Sequence, residues 1–123
     1  NQIDIPNVSI INDFFNEETA TKIIEKYGHL DMVLANNVYA HISDIQGITR
    51  AIENVLKHDG IFIFEVHYLD KIINDMQYDM IYHEHIYYYS LIYLSPTLKV
   101  FLLGKLFFCF CTSTNISITI RMS

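Results

Sequence analysis

Tyr82-His83-Glu84-His85, followed at once by Ile86-Tyr87-Tyr88-Tyr89-Ser90-Leu91, gathers two imidazoles, one carboxylate and four phenols within eight residues. Such a density of proton-transfer groups reads as an active-site loop, because a histidine with a neighbouring carboxylate makes a base that works near neutral pH. A metal site and an aromatic strand are its rivals. A metal-binding module could use His83, Glu84 and His85, but structural zinc wants four ligands and catalytic zinc three, and no further ligand has diagnostic spacing, so no metal is assigned. An aromatic surface strand would account for the tyrosines and leave the interleaved His-Glu-His without a reason. Proton transfer accounts for both, without choosing between His83 and His85.

The elements that must position this loop follow from hydrophobic periodicity. Val8 to Ile11 is a short β-branched run, and Ala20, Ile23, Ile24 and Tyr27 form a helix face that Gly28 closes. Asp31 to Ala35 reads as a strand, Ser43 or Asp44 caps a helix burying Ile45, Ile48, Ile52 and Leu56, and Asp59-Gly60 turns the chain into a strand from Ile61 to Val66. The order β-α-β-α-β predicts an α/β fold, a partial doubly wound parallel sheet covered on both faces with right-handed crossovers. Ligands of such sheets sit beyond the carboxyl ends of the strands, here Asn12-Asp13, Asn36-Asn37 through His41, and Glu65 through Leu69. On their own residues Asn36-Asn37 reads as turn backbone, His41 as a core or helix-start histidine, Glu65 equally as a helix cap or a site residue, and His67 carries less signal still. Gly28, Gly47, Gly60 and Gly104 are isolated, so a phosphate-cradling loop is absent and any cofactor site is partial.

At 123 residues, 51% of them apolar, the chain has the size of one globular domain. A net charge of −6 argues against nucleic-acid and anionic-membrane partners and for a small molecule. All fourteen acidic residues lie between Asp4 and Glu84, whereas the remainder carries only Lys99, Lys105 and Arg121. The apolar runs after Pro96 are interrupted by lysines and fall short of a membrane span. Cys109 and Cys111, one residue apart, read as buried thiols rather than a disulfide or metal pair. Without a signal sequence or an initiator Met, the reading is a fragment of a cytoplasmic protein.

Four ordered blocks then stand out: Asn-Asp-Phe-Phe at 12–15, Ala-Asn-Asn-Val-Tyr-Ala-His at 35–41, Asp-Gly-Ile-Phe-Ile-Phe-Glu-Val-His-Tyr-Leu at 59–69, and Asp-Met-Ile-Tyr-His-Glu-His-Ile-Tyr-Tyr-Tyr-Ser-Leu at 79–91. Over residues 8–94 they resemble the S-adenosylmethionine-dependent sugar C-methyltransferases, which act on nucleotide-linked 4-keto deoxysugars. The resemblance implies a Rossmann-like methyltransferase domain in which a base removes the proton beside the ketone and the enolate carbon attacks the cofactor's methyl group. It implies His85 as the base, Glu84 as a neighbour holding charge or orientation, and Tyr82 and His41 as donors near the ketone. It implies Asp13 and Phe14 near the adenine, and Ala35, Asn36 and Asn37 beside the methionine part of the cofactor. The family's glycine-rich loop, acidic ribose contact and zinc-binding Cys-rich domain are expected before residue 1, so the fragment itself is expected to bind cofactor weakly and to be inactive. Residues 1–95 are then the later half of the cofactor domain with the catalytic loop, and 96–123 a divergent tail of the kind a frameshift or truncation produces. Self-association through an exposed sheet edge or the tail is expected, and a non-catalytic interaction remnant is the further alternative.

Overall fold

The computed structural model describes residues 6–90, 92, 106–111 and 116–121, with side-chain surroundings only up to residue 92. Helix α1 (Glu17–Tyr27) starts where the Asn16 side chain accepts from the Thr19 amide, with Glu17 and Glu18 in its first turn and Lys26 in its last, signs that suit the helix dipole. It stops at Gly28, whose φ of +80° is open to glycine at little cost and whose amide returns to the Ile24 carbonyl. Helix α2 (Ile45–Val55) is capped by Asp44, which accepts from the Gly47 amide at 2.9 Å, and so takes the second of the two expected caps.

Strands β1 (Leu30–Ala35) and β2 (Leu56–Val66) are parallel, β3 (Leu106–Cys111) continues parallel to β2, and β4 (Ile116–Arg121) is antiparallel to β3. The sheet runs in the order β1-β2-β3-β4, a partial Rossmann-like arrangement as expected. Val33 lies opposite Phe62 and Ala35 opposite Phe64 in register, so these four share one face of the pleat. That face meets Tyr39, Ala40, Ile52 and Leu56, while Ala20 of α1 packs with Ala51 and Val55 of α2 behind it. Phe62 and Phe64 are fully buried, each stabilising by about 1.5–3 kcal/mol relative to exposure. The expected cover on both faces is not seen among the described residues: Met32 and Leu34, on the face opposite α2, are 50% and 59% exposed.

Two further expectations differ in detail. Val8 to Ile11 forms no strand; Val8, Ile10 and Ile11 are exposed and pair with none of the described strands, and β-branched propensity does not make a strand without such pairing. Asp59-Gly60 does not separate helix from strand, because β2 already begins at Leu56. The pairing jumps from Leu30↔Leu56 to Met32↔Ile61, so Lys57 to Gly60 form a wide bulge inside the strand. A Cβ at Gly60 would come within 2.9 Å of the Lys57 carbonyl oxygen, and this close approach is why glycine stands there. Within the expected 96–123 tail, β3 and β4 extend the same sheet, and its other residues lie outside the described ones.

Candidate active site

The carboxyl ends of β1 and β2 are adjacent in a parallel pair, so whatever follows Ala35 and Val66 emerges side by side. After β1 the chain turns through Asn37, with φ +49°, into a 3-10 turn at Tyr39–His41. After β2 it passes His67 and Tyr68, forms the short helix α3 (Leu69–Asn74), turns through Met76 at φ +52° and a 3-10 turn at Tyr78–Met80, and returns as the loop to Ser90.

Peptide groups and phenols staple that loop across the strand ends. The Ile86 and Tyr87 amides both donate to the Ala40 carbonyl, at 3.0 and 3.3 Å, and the Leu69 amide donates to the Tyr89 carbonyl at 2.9 Å. Tyr87 donates to the Ser43 carbonyl, Tyr89 donates to the Tyr39 carbonyl and stacks on its ring, and the Tyr88 hydroxyl accepts from the Tyr82 amide. The run of tyrosines therefore fastens the loop, the part of the sequence signal that an aromatic strand would also have covered.

The histidines converge beneath these staples. His85 is 5% exposed, and its ring centroid lies 4.9 Å from that of His41 and 4.9 Å from that of His67. Its Nδ1 faces the Met80 carbonyl at 3.1 Å; a carbonyl only accepts, so Nδ1 carries the proton and Nε2 keeps a lone pair. That lone pair accepts from the Tyr82 hydroxyl at 3.0 Å. By the same logic His41 donates from Nδ1 to the Glu84 carbonyl at 2.7 Å, leaving its own Nε2 as an acceptor. His83 and Glu84 are exposed, and the hydrogen bond that Glu84 makes to this cluster is from its peptide carbonyl to His41. Among the described residues, no three His, Cys, Asp or Glu side chains are grouped to hold a metal ion.

His67 is the residue that sequence reasoning undervalued. It is half-buried, and its pKa is lowered first by that burial and then by neighbouring His85, with Glu65 opposing and His41 adding to the fall. The signal that could have found it is positional: it follows β2 as His41 follows β1, and parallel strands bring those two departures together.

Beside the cluster a cavity of about 680 Å³, within the range of roughly 300–1,000 Å³ usual for small-molecule sites, opens at the end of β1. Phe14, Ala35, Asn36 and His41 line it, over a floor that includes Tyr39 and Ile52. Phe14 is 88% exposed at the rim. Asp13 and Asn37 do not line it: the Asp13 carboxylate accepts from the Phe14 amide at 2.8 Å and faces Lys22, and Asn37 makes the turn. Of the five residues expected to hold a cofactor, three therefore meet at one cavity and two flank it.

A family model described as a methyltransferase domain matches residues 1–99. The chain is also 35% identical over 77 residues to C-methyltransferase NovU of Streptomyces niveus, a match that takes in 63% of this chain and 18% of that relative. The chain thus spans less than a fifth of the length of that curated protein. No helix among the described residues is long and apolar enough to cross a membrane. With its fold, the cavity at its strand ends and the family match extending over most of its length, the chain belongs to the methyltransferase-domain family.

Proposed function

We propose that the chain is the later half of an S-adenosylmethionine-dependent C-methyltransferase domain acting on the carbon beside the ketone of a nucleotide-linked 4-keto deoxysugar. The observation that carries this reading is the Tyr82–His85 pair: a buried imidazole whose tautomer presents a lone pair at Nε2, with a phenol donor 3.0 Å away. Deprotonation next to a ketone needs those two groups, a base for carbon and a donor for the oxygen that becomes negative.

In this mechanism the Tyr82 hydroxyl swings from His85 Nε2 to the ketone oxygen, which frees the lone pair. His85 Nε2 then takes the proton from the neighbouring carbon, the C–H electron pair moves into the new C=C bond, and Tyr82 stabilises the enolate oxygen. The Met80 carbonyl, already accepting from Nδ1, holds the resulting imidazolium in place. His41 donates toward the substrate only when charged, since its neutral form has its one proton on the Glu84 carbonyl. A positioned general base contributes about 10²–10⁴-fold in rate.

The cavity lining fits part of the cofactor. Phe14 offers a flat apolar surface for an adenine ring, and Ala35 and Asn36 a narrow edge with one amide for the methionine portion. No carboxylate for ribose hydroxyls is among the lining residues. When bound, S-adenosylmethionine supplies an electrophilic methyl group.

Two measurements test the reading. Proton exchange needs no cofactor, so even where methyl transfer by the fragment fails, incubating the chain with the 4-keto nucleotide sugar in D2O should exchange the proton beside the ketone, and His85→Gln should slow exchange by at least 100-fold; exchange untouched by that change refutes His85 as base. Calorimetric titration with S-adenosylhomocysteine should show binding weakened by Phe14→Ala, and binding indifferent to that change refutes the cavity as cofactor site.

A further inference from the structure

We infer that His67 is a substrate-contacting residue of this site, whose ring hydrogen-bonds a hydroxyl of the sugar next to the carbon that His85 deprotonates. The inference rests on the functional reading above and adds a residue and a specificity to it.

Position comes first. His67 leaves the carboxyl end of β2 with its ring centroid 4.9 Å from that of His85, the same separation as between His41 and His85. A substrate held against the His85 ring would have the His67 ring as a neighbour.

Hydrogen-bonding capacity comes second. Both other histidines of the cluster have Nδ1 committed to a peptide carbonyl, Met80 for His85 and Glu84 for His41. The half-buried His67 ring makes no side-chain hydrogen bond to another described residue, and its nitrogens are not among the buried polar atoms left without a partner, so its N–H and its lone pair are open to a ligand. A neutral imidazole offers one N–H and one lone pair, which is what a hydroxyl needs in return. The enolate oxygen only accepts, and Tyr82 already serves it.

Charge comes third. Facing His67 are His85 from the loop, His41 from the turn after β1, and Glu65 on its own strand, the first two disfavouring and the last favouring its imidazolium. Burial sides with the histidines. Burial and these neighbours bias His67 toward its neutral form, which avoids setting a second positive charge beside His85 when His85 takes a proton.

The test uses the full chain and the 4-keto nucleotide sugar, read by calorimetry for binding and by exchange in D2O for KM and kcat. His67→Phe, which keeps the flat ring, should weaken binding and raise KM by about tenfold with kcat changed less than threefold. His67→Asn or His67→Gln, which restore a donor and an acceptor, should bring KM back to within about threefold for at least one of them. Equal thermal midpoints check that all variants fold. Binding and KM unchanged in His67→Phe overturn the inference alone. A KM raised equally by Phe, Asn and Gln also overturns it, marking His67 as packing for His85. No binding and no exchange by the unaltered chain overturn the functional reading and this inference together.

Discussion

Thr49→Val should destabilise the protein more than Tyr39→Phe, although the two changes break the same hydrogen bond. Thr49 Oγ1 gives its only proton to the Ile45 carbonyl, so in its 2.7 Å contact with Tyr39 the phenol donates and the threonine accepts. Tyr39 is 1% exposed and wedged between Phe62, Phe64 and Tyr89. Valine at 49 leaves that buried hydroxyl without a partner, a penalty of about 1–3 kcal/mol, whereas phenylalanine at 39 removes the hydroxyl and leaves Thr49 still bonded to Ile45, costing about 0.5–1.5 kcal/mol. The double variant has no orphaned donor and should be less destabilised than the sum of the two by about 1 kcal/mol. Urea titrations with unchanged m-values measure these differences directly, and a loss of about 2 kcal/mol appears as a melting-temperature drop of about 10 °C in a domain of this size. The alkaline side gives a second readout of the same group. Burial pushes the Tyr39 pKa up to about 12, while the unfolded phenol titrates near its ordinary value of 10.0. Between those values the unfolded chain has lost a proton that the folded one keeps, so this group makes stability fall by about 1.4 kcal/mol per pH unit, a slope Tyr39→Phe should lack. Equal losses for the two single variants with an additive double variant would sink the donor assignment. Because Tyr39 floors the cavity and carries Tyr89, the Thr49→Val protein should also hold its loop more loosely.

His41→Phe removes the bond to the Glu84 carbonyl, and limited proteolysis should cut the 82–88 segment about fivefold faster; an unchanged rate would mean that the tyrosine staples suffice. Gly28→Ala forces a side chain into φ +80° and should cost about 1 kcal/mol in urea unfolding, with no loss refuting the strain. For His67 the folded pKa lies below its 6.5 reference, so stability is full above pH 6.5 and falls below it, where the unfolded imidazole binds a proton that the folded one resists. His67→Gln should flatten that part of the stability curve between the folded and unfolded values, and an unchanged slope would refute the burial effect.

Local signals made α1 and α2 readable, because capping side chains and apolar spacing act within a turn or two. Asp44 and Gly28 do the work that the sequence assigns them, and the Asn16 cap is added by the structure. The Val8–Ile11 run misled for the opposite reason: a strand exists only when a partner offers a ladder, and propensity says nothing of partners. The bulge at Lys57–Gly60 was half legible, since Asp-Gly marks a sharp local path but not whether the pairing resumes beyond it. At the candidate site the loop composition pointed to His85 and His83 alike, and burial separates them: one lies under the staples, the other outside. Asp13 and Asn37 illustrate the limit of position along the chain, being one residue from Phe14 and Asn36 yet turned to local hydrogen bonds or the turn itself. His67 was hidden because its role depends on two strands standing side by side, which no window of sequence contains.

The two peptide carbonyls that fix the imidazoles of His85 and His41 belong to Met80 and Glu84. Every amino acid brings that same oxygen, so the protonation pattern of the site is insulated from side-chain drift at those two positions. Codon changes at 80 and 84 can vary the loop's outer surface while the lone pairs keep pointing where they do. What the pattern does not survive is a change in the path of the backbone, such as a deletion between Met80 and His85 or a proline at Ile86, whose amide holds the Ala40 carbonyl. In a mutational scan of this loop, tolerance at 80 and 84 to substitution, set against intolerance to a one-residue shift in length, would be the imprint of chemistry governed by the main chain.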